Sequence, residues 1–300
     1  MARETDLLPV PYFHVVFTLP EELSMVAFQN QKAVYNILLK TSWETLQELC
    51  GNPKYLGAEI GAISILHTWG QQLTLHPHVH MIVPGGGLTQ TGQWRNSRKK
   101  FFIPVKVMAK LFRGKFLHAL RQMELGRRGK LEPLSIPANW NGLIDTLYQK
   151  DWYVYCKKPF QNTHSVLAYL GRYTHRVAIS NHRILGMRDG TVSFRWRDYH
   201  DGSKEKQMTL AAHEFMRRFL LHVLPTGFTK IRHYGILASA VKKKKLAICK
   251  RLTGVKPSIR ETLSTVELMK KVTGKDITVC QYCGIGHWVM FSGLSPPGIG

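Results

Sequence analysis

Three histidines, His76, His78 and His80, occupy alternate positions of the run TLHPHVHMIVPGGG at residues 74–87. In an extended strand alternate side chains share a face, at a rise of about 3.3 Å per residue. The three imidazoles therefore project together while Pro77, Val79 and Met81 project the other way. Imidazole nitrogens bind divalent metals at about 2.1 Å, and two rings on one side of a rigid strand reach a single ion. A half-polar strand with solvated histidines has the same spacing. The density of histidine and the packing apolar face behind it favour the metal.

A second group stands further along, in SVLAYLGRYTHR at residues 165–176. Tyr169 and Tyr173 are four apart on a stretch of helical periodicity, so they share a helix face about 5 to 6 Å apart. Arg172, His175 and Arg176 crowd the same turn. Taken alone, Val166, Leu170 and Tyr173 read as an ordinary core stripe. A phenol titrates near 10 and is a poor nucleophile at neutral pH unless cations or a metal stabilise the phenolate. Basic neighbours and an ion on the histidine strand supply both. A divalent ion also polarises a phosphate facing it, so the pair of motifs suits attack of tyrosine on phosphorus. The resulting phosphotyrosine conserves the cleaved bond for rejoining without a nucleotide cofactor, and two tyrosines could hold two strand ends.

These side chains need a frame. YFHVVFTLP, residues 12–20, is β-branched and aromatic and reads as a strand; residues 21–50 carry apolar positions at helical spacing and read as two helices ending near Gly51. GAISILHTWG and LTLHPHVHMIVPG are two more strands a short link apart, expected as an antiparallel pair, with a shorter hairpin at GGGLTQTGQWR. Residues 105–125 read as a helix, WYVYCKK from Trp152 as a strand, and residues 162–173 as a helix capped by Asn162 or Thr163. HRILGMRDGTVSFRWRDY carries a DG turn between two strands, LAAHEFMRRFLLHVLP is an amphipathic helix stopped by Pro225, and KIRHYGILASAVKKKKLAICKRL is a basic stretch. The order predicts an α+β fold with a mainly antiparallel central sheet covered by helices.

Lys and Arg number 42 against 19 Asp and Glu, a formal charge of +23 over 300 residues, of which 44% are hydrophobic. That content builds a core, and that charge concentrates polyanions. Nucleic acid is favoured over a membrane surface, because there is no apolar run of about eighteen residues and no lipidation motif. The N-terminal residues carry no signal-peptide pattern. Five cysteines, odd in number and mostly far apart, suit a reducing compartment, so a cytoplasmic location is expected.

A His-hydrophobic-His strand (HVH, His78 to His80) followed by a helix bearing Tyr-x-x-x-Tyr (YLGRY) resembles the HUH endonucleases with two tyrosines. Around those motifs, HVVFTLP, HTWGQQLTLHPHVHMIVPGGG and YLGRYTHRVAISNHR resemble the rolling-circle transposases of the IS91 type, from about Pro9 to Tyr234. The resemblance implies a five-stranded antiparallel sheet with helices and Mg²⁺ or Mn²⁺ as cofactor. It also implies single-stranded DNA at transposon ends and target as partner, and a covalent 5′-phosphotyrosine intermediate. It carries His78 and His80 over as metal ligands and Tyr169 and Tyr173 as nucleophiles. The third ligand is expected just upstream, where Gln71, Gln72 and His76 are on offer; Gln71 is favoured, with His76 a flanking residue. The catalytic domain is expected over residues 1–235, with a basic C-terminal extension over 236–300. In the extension CQYCGIGHW offers Cys280, Cys283 and His287, half to three-quarters of a zinc site. Relatives usually begin with a cysteine-rich zinc-binding module; here no cysteine precedes Cys50, which leaves open both a complete active transposase and a chain lacking that module.

Three other readings fit parts of the sequence. A non-catalytic nucleic-acid-binding protein explains the charge and predicts no metal dependence and no covalent adduct. A hydrolase using metal-bound water predicts cleavage without attachment to protein. A rolling-circle replication initiator shares the whole mechanism.

Overall fold

Strand β1, Tyr12–Thr18, is buried along its whole length, and it sits where such a run must sit, inside a sheet with both faces covered. The computed structural model describes residues 7–98, 102–160, 166, 178–199, 201–254, 264, 266–267, 269–270, 274, 276–280 and 282–288. By internal contacts the chain divides into Met1–Val255 and Lys256–Gly300.

The first unit is built on a five-stranded sheet of order β10-β2-β3-β1-β6, every neighbouring pair antiparallel. Its strands are β1, β2 (Gly61–Trp69), β3 (Leu75–Pro84), β6 (Val154–Phe160) and β10 (Ile231–Gly235). One face carries Phe13, Val15 and Phe17 from β1, Leu66 from β2, Val79, Met81 and Val83 from β3, and Val154 from β6. Helices cover it: α1 (Ser24–Gln29), α2 (Gln31–Gly51), α3 (Val105–Arg121) and α4 (Pro137–Gln149). Their buried residues recur every three or four positions, as in Val34, Leu38, Leu39, Leu46 and Leu49 of α2 and Met108, Phe112, Phe116 and Leu120 of α3. Each fully buried side chain of this size contributes about 1.5 to 3 kcal/mol, so the helix layer makes this face the mechanical base of the sheet.

The other face is covered in two places. At one end Ile63, Ile65 and Ile82 are buried with Val166, Ile236, Leu237 and two residues of α6 (Lys242–Leu252), Leu246 and Cys249. At the other, a three-stranded antiparallel sheet of β7 (Ile184–Arg188), β8 (Thr191–Asp198) and β9 (Lys204–Ala211), followed by α5 (Ala212–Leu220), packs Phe194 against Leu73 and Ile179. The expected DG turn joins β7 to β8, with Asp189 and Gly190 both at positive φ, as a tight two-residue hairpin requires.

The three glycines after the histidine strand have a steric cause. They lead into a small pair, β4 (Gly86–Leu88) and β5 (Trp94–Asn96), which also bridges to Glu59. A Cβ on Gly86 would lie 2.6 Å from the Trp94 ring, and one on Gly87 2.5 Å from the Glu59 carbonyl oxygen. Only glycine fits so close an approach.

Some elements were not foreseen. Helix α4 begins at Pro137 in its first turn, a start signal that a proline-and-asparagine-rich stretch hides. Strand β9 completes the hairpin of β7 and β8 although Lys204–Gln207 are exposed and polar. Strand β10 lies inside the stretch read as merely basic, and it supplies the fifth strand. The compact unit also runs past the expected boundary at residue 235, because α6 buries Leu246 and Cys249 beneath the sheet's second face. No helix among the described residues is long and apolar enough to cross a membrane.

Candidate metal centre and its groove

Strand register gathers the histidines. Strands β2 and β3 pair His67 directly with His78 and Ile65 with His80, so His67 joins His78 and His80 on one face. Strand β1, on the other side of β3, sets Val16 against His80 and Thr18 against His78, and brings His14 to the same face. The outcome is a group of three imidazoles, His67, His78 and His80, whose ligand nitrogens all lie within 4.8 Å of one another. His67 is buried and the other two are half-buried. Among the described residues this is the one convergent group of three or more metal-ligating side chains.

The protonation of the group suits an ion. Burial lowers the His78 pKa to about 4 and the His80 pKa well below its ordinary value, so both rings are neutral at pH 7. The tautomer of His78 follows from its partner: Nδ1 lies 2.6 Å from the carbonyl oxygen of His76, which only accepts, so Nδ1 donates and Nε2 keeps its lone pair. His80 Nδ1 lies 2.7 Å from His14 Nε2, with the two rings stacked 5.0 Å apart at 9°. Burial, reinforced by the charge of Lys157, lowers the His14 pKa to about 4, so this partner too is neutral. His80 can offer Nε2 to an ion in the tautomer that carries its proton on Nδ1, and in that tautomer the contact donates to His14 and orients the ring as an outer partner does at a metal site. Neutral rings, a fixed tautomer and convergent nitrogens all fit a divalent ion.

The turn that sets this register is held from three directions. Leu73 sits at φ 60°, a left-handed conformation costing a residue with a Cβ roughly 1 to 2 kcal/mol. Its fully buried side chain offsets that cost. His222 Nε2 donates to the Leu73 carbonyl at 3.2 Å, Arg218 to the Gln72 carbonyl at 3.1 Å and Arg183 to the Gln71 carbonyl at 2.6 Å.

A groove of about 530 Å³ opens over the histidines. Trp69, Gln71, His76, Tyr153, Arg183 and Tyr199 are among its walls. Gln71, the expected third ligand, lies in this wall and is engaged elsewhere: its amide donates to the Tyr199 hydroxyl at 3.2 Å and accepts the Arg197 N–H at 3.4 Å. The third nitrogen beside His78 and His80 belongs to His67, which sequence reasoning passed over. His76 flanks the group, lending its carbonyl to His78. Tyr169 and Tyr173, with Arg172, His175 and Arg176, lie outside the described residues. In the second unit the Gly286 N–H donates to Cys283 Sγ at 3.3 Å, and Val279 bridges His287. Backbone N–H groups of Ile285 and Gly286 and the Cys280 side chain lower the Cys283 pKa.

Fold and site together define a class: an α+β protein whose antiparallel sheet keeps one face for helices and offers a histidine centre, fit for a divalent metal, on the other. Residues 61–245 match the family described as "Putative transposase", and the chain belongs to that family. It is 43% identical to "Putative transposase y4qJ" of Sinorhizobium fredii (strain NBRC 101917 / NGR234), covering 98% of this chain and 77% of that protein. It is 28% identical to the transposase for insertion sequence element IS801 of Pseudomonas savastanoi pv. phaseolicola, covering 96% and 70%. Among solved structures it is similar to the conjugative relaxase TrwC in complex with oriT DNA. The metal-free form aligns with TM-score 0.31 at 11% identity over 81% of this chain and 74% of that one. The metal-bound form aligns with TM-score 0.31 at 10% identity over 82% and 73%.

Proposed function

We propose that the protein nicks and rejoins single-stranded DNA at transposon ends through a covalent tyrosine intermediate, with His67, His78 and His80 holding a divalent ion. The observation that carries this reading is the three-histidine group, open to a groove, in a chain of a transposase family. The donor set bears on the choice of ion. Mg²⁺ and Mn²⁺ both suit oxygen ligands, but Mn²⁺ belongs to the first-row series that also binds nitrogen sites, so of the expected pair it is the one a three-imidazole set holds more readily. When bound, the ion supplies Lewis-acid polarisation of a phosphate oxygen.

The chain's own residues do the rest. The histidines hold position because β1, β2 and β3 are each paired on both sides, and the helix layer leaves their face unable to shift. Arg183 and Arg197 in the groove wall place positive charge near the phosphates of a bound strand. Support for the nucleophiles comes from Val166, which is helical and buried in the cluster that holds Ile63, Ile65 and Ile82, on the histidine face. Tyr169 and Tyr173 follow three and seven residues later, the spacing that keeps side chains on one helical stripe. In the reaction a tyrosine Oη–P bond forms and the P–O3′ bond breaks. The phenol proton balances the released 3′-hydroxyl, and a 3′-hydroxyl reverses the step at the join.

The test uses labelled single-stranded element ends with Mn²⁺ and denaturing electrophoresis. Expected is a protein–DNA adduct that survives denaturation and is absent from the Tyr169→Phe, Tyr173→Phe double variant. Cleavage with no adduct would refute the tyrosine mechanism in favour of metal-bound water.

A further inference from the structure

Strand β6 ends the sheet on the side opposite β10, and its side chains alternate between two surroundings. Val154 and Cys156 pack into the helix layer. Tyr155 pairs with Val16 and Lys157 with His14, so both stand on the face that carries the histidines. Tyr153, just before the strand, lines the groove with His78 and His80. Tyr153 is 65% exposed and Tyr155 43%. Two tyrosines at alternate positions, about 6.6 Å apart by strand rise, therefore stand in water beside the centre, followed by an exposed lysine at the same interval.

Neither ring belongs to the core, which takes tyrosines such as Tyr12 and Tyr35 fully out of water. A row of exposed aromatic faces ending in a cation, on a chain of net charge +23, matches one kind of ligand: an unpaired polynucleotide, with bases that stack and phosphates that are anionic. A duplex hides its base faces, so a single strand fits better. We propose that Tyr153 and Tyr155 form a stacking platform for two successive bases of the single strand entering or leaving the histidine centre, with Lys157 against its backbone. The proposal rests on single-stranded DNA being the substrate. It adds residues that set affinity and path, outside the metal group and the nucleophile segment. Any base offers a π-face, so the platform is tolerant of sequence.

The experiment measures anisotropy of the whole 300-residue chain, with EDTA present to separate binding from chemistry. Two probes are used, a labelled twenty-nucleotide oligothymidylate and an abasic strand of equal phosphate count. Tyr153→Ala and Tyr155→Ala are each expected to weaken oligothymidylate binding about tenfold, the ~1.4 kcal/mol of one stacked base. The Phe variants, which keep the ring, should stay within twofold of wild type. Abasic binding should be the same in all of them. Wild-type affinity in the Ala variants, equal losses on the abasic strand, or Phe variants as weak as the Ala ones would each overturn the platform. The wild-type adduct assay with Mn²⁺ separates the two levels. An adduct together with unchanged Ala-variant binding refutes the platform alone; no binding of either strand by wild type refutes both.

Discussion

Replacing His67 by Ala distinguishes the centre seen here from the one expected on sequence. The ring lies 4.2 Å from His80 and 5.3 Å from His78 between centroids, on the strand paired to theirs. Removing an outer partner of a metal ligand commonly costs 10- to 100-fold in affinity, so removing one of three direct nitrogens should cost at least about 100-fold, or ~2.7 kcal/mol. Gln71→Ala removes two long, exposed hydrogen bonds to Tyr199 and Arg197 and no nitrogen of the group. It should change affinity less than about threefold, below the ~1 kcal/mol of a typical net hydrogen bond. The assay is calorimetric titration of Mn²⁺ into wild type and the two variants, with thermal melts to verify the fold, since the buried His67 ring leaves a void. Little loss for His67→Ala and a 100-fold loss for Gln71→Ala would refute the assignment and restore the amide as the third ligand.

Three further outcomes follow from the same geometry. His14→Ala should lower Mn²⁺ affinity 10- to 100-fold by freeing the His80 ring, without removing a ligand; an unchanged binding isotherm would show that the 2.7 Å contact orients nothing. Binding to single-stranded DNA should fall steeply with salt, and neutralising Lys242, Lys243 and Lys244 on α6 should flatten the slope of log affinity against log salt; a salt-independent affinity would exclude the electrostatic reading. His222, whose pKa burial lowers to about 4, is neutral when folded and protonates more readily when unfolded. Its contribution is full above pH 6.5 and is lost as pH falls towards 4, by up to about 3 kcal/mol, so His222→Gln should show a shallower acid loss of stability by urea titration than wild type; parallel curves would refute it.

How far the sequence reveals this site depends on the kind of order involved. Alternation along one strand is local, and the common face of His78 and His80 is legible from their spacing alone. His67 belongs to a different strand, and its role depends on register across a turn. The antiparallel pair was legible, but pairing outward from Trp69 opposite Leu75 puts His67 opposite Pro77, and only a register shift between His67 and Trp69 brings it opposite His78. The link itself obscured this, because Leu73 adopts a left-handed conformation where a glycine would have announced the turn. Strand β10 was hidden for a related reason. Ile231 and His233 pair with Ile65 and Ile63 on one face while Arg232 and Tyr234 take the other, so charge and burial alternate too weakly to stand out in a basic stretch.

The placement of the histidines on β2 and β3 has a consequence for how the centre holds its shape. A site on loops would have to order its ligands when the ion arrives, at about 1 to 2 kcal/mol of backbone entropy per residue. Here the strands bearing the three nitrogens are ladder-paired on both sides and backed by a helix layer, so their backbone is already ordered. Only side-chain rotation is left, and the hydrogen bonds to the His76 carbonyl and to His14 restrict two of the three rings. The freedom that strand exchange needs must then reside elsewhere. On the proposed function the histidines hold the ion that faces one phosphate, and the moving part of the reaction falls to the tyrosines. On this division, substitutions in the helix layer should act on metal affinity through the backbone, whereas substitutions around the tyrosines should act on nicking and joining with the metal centre intact.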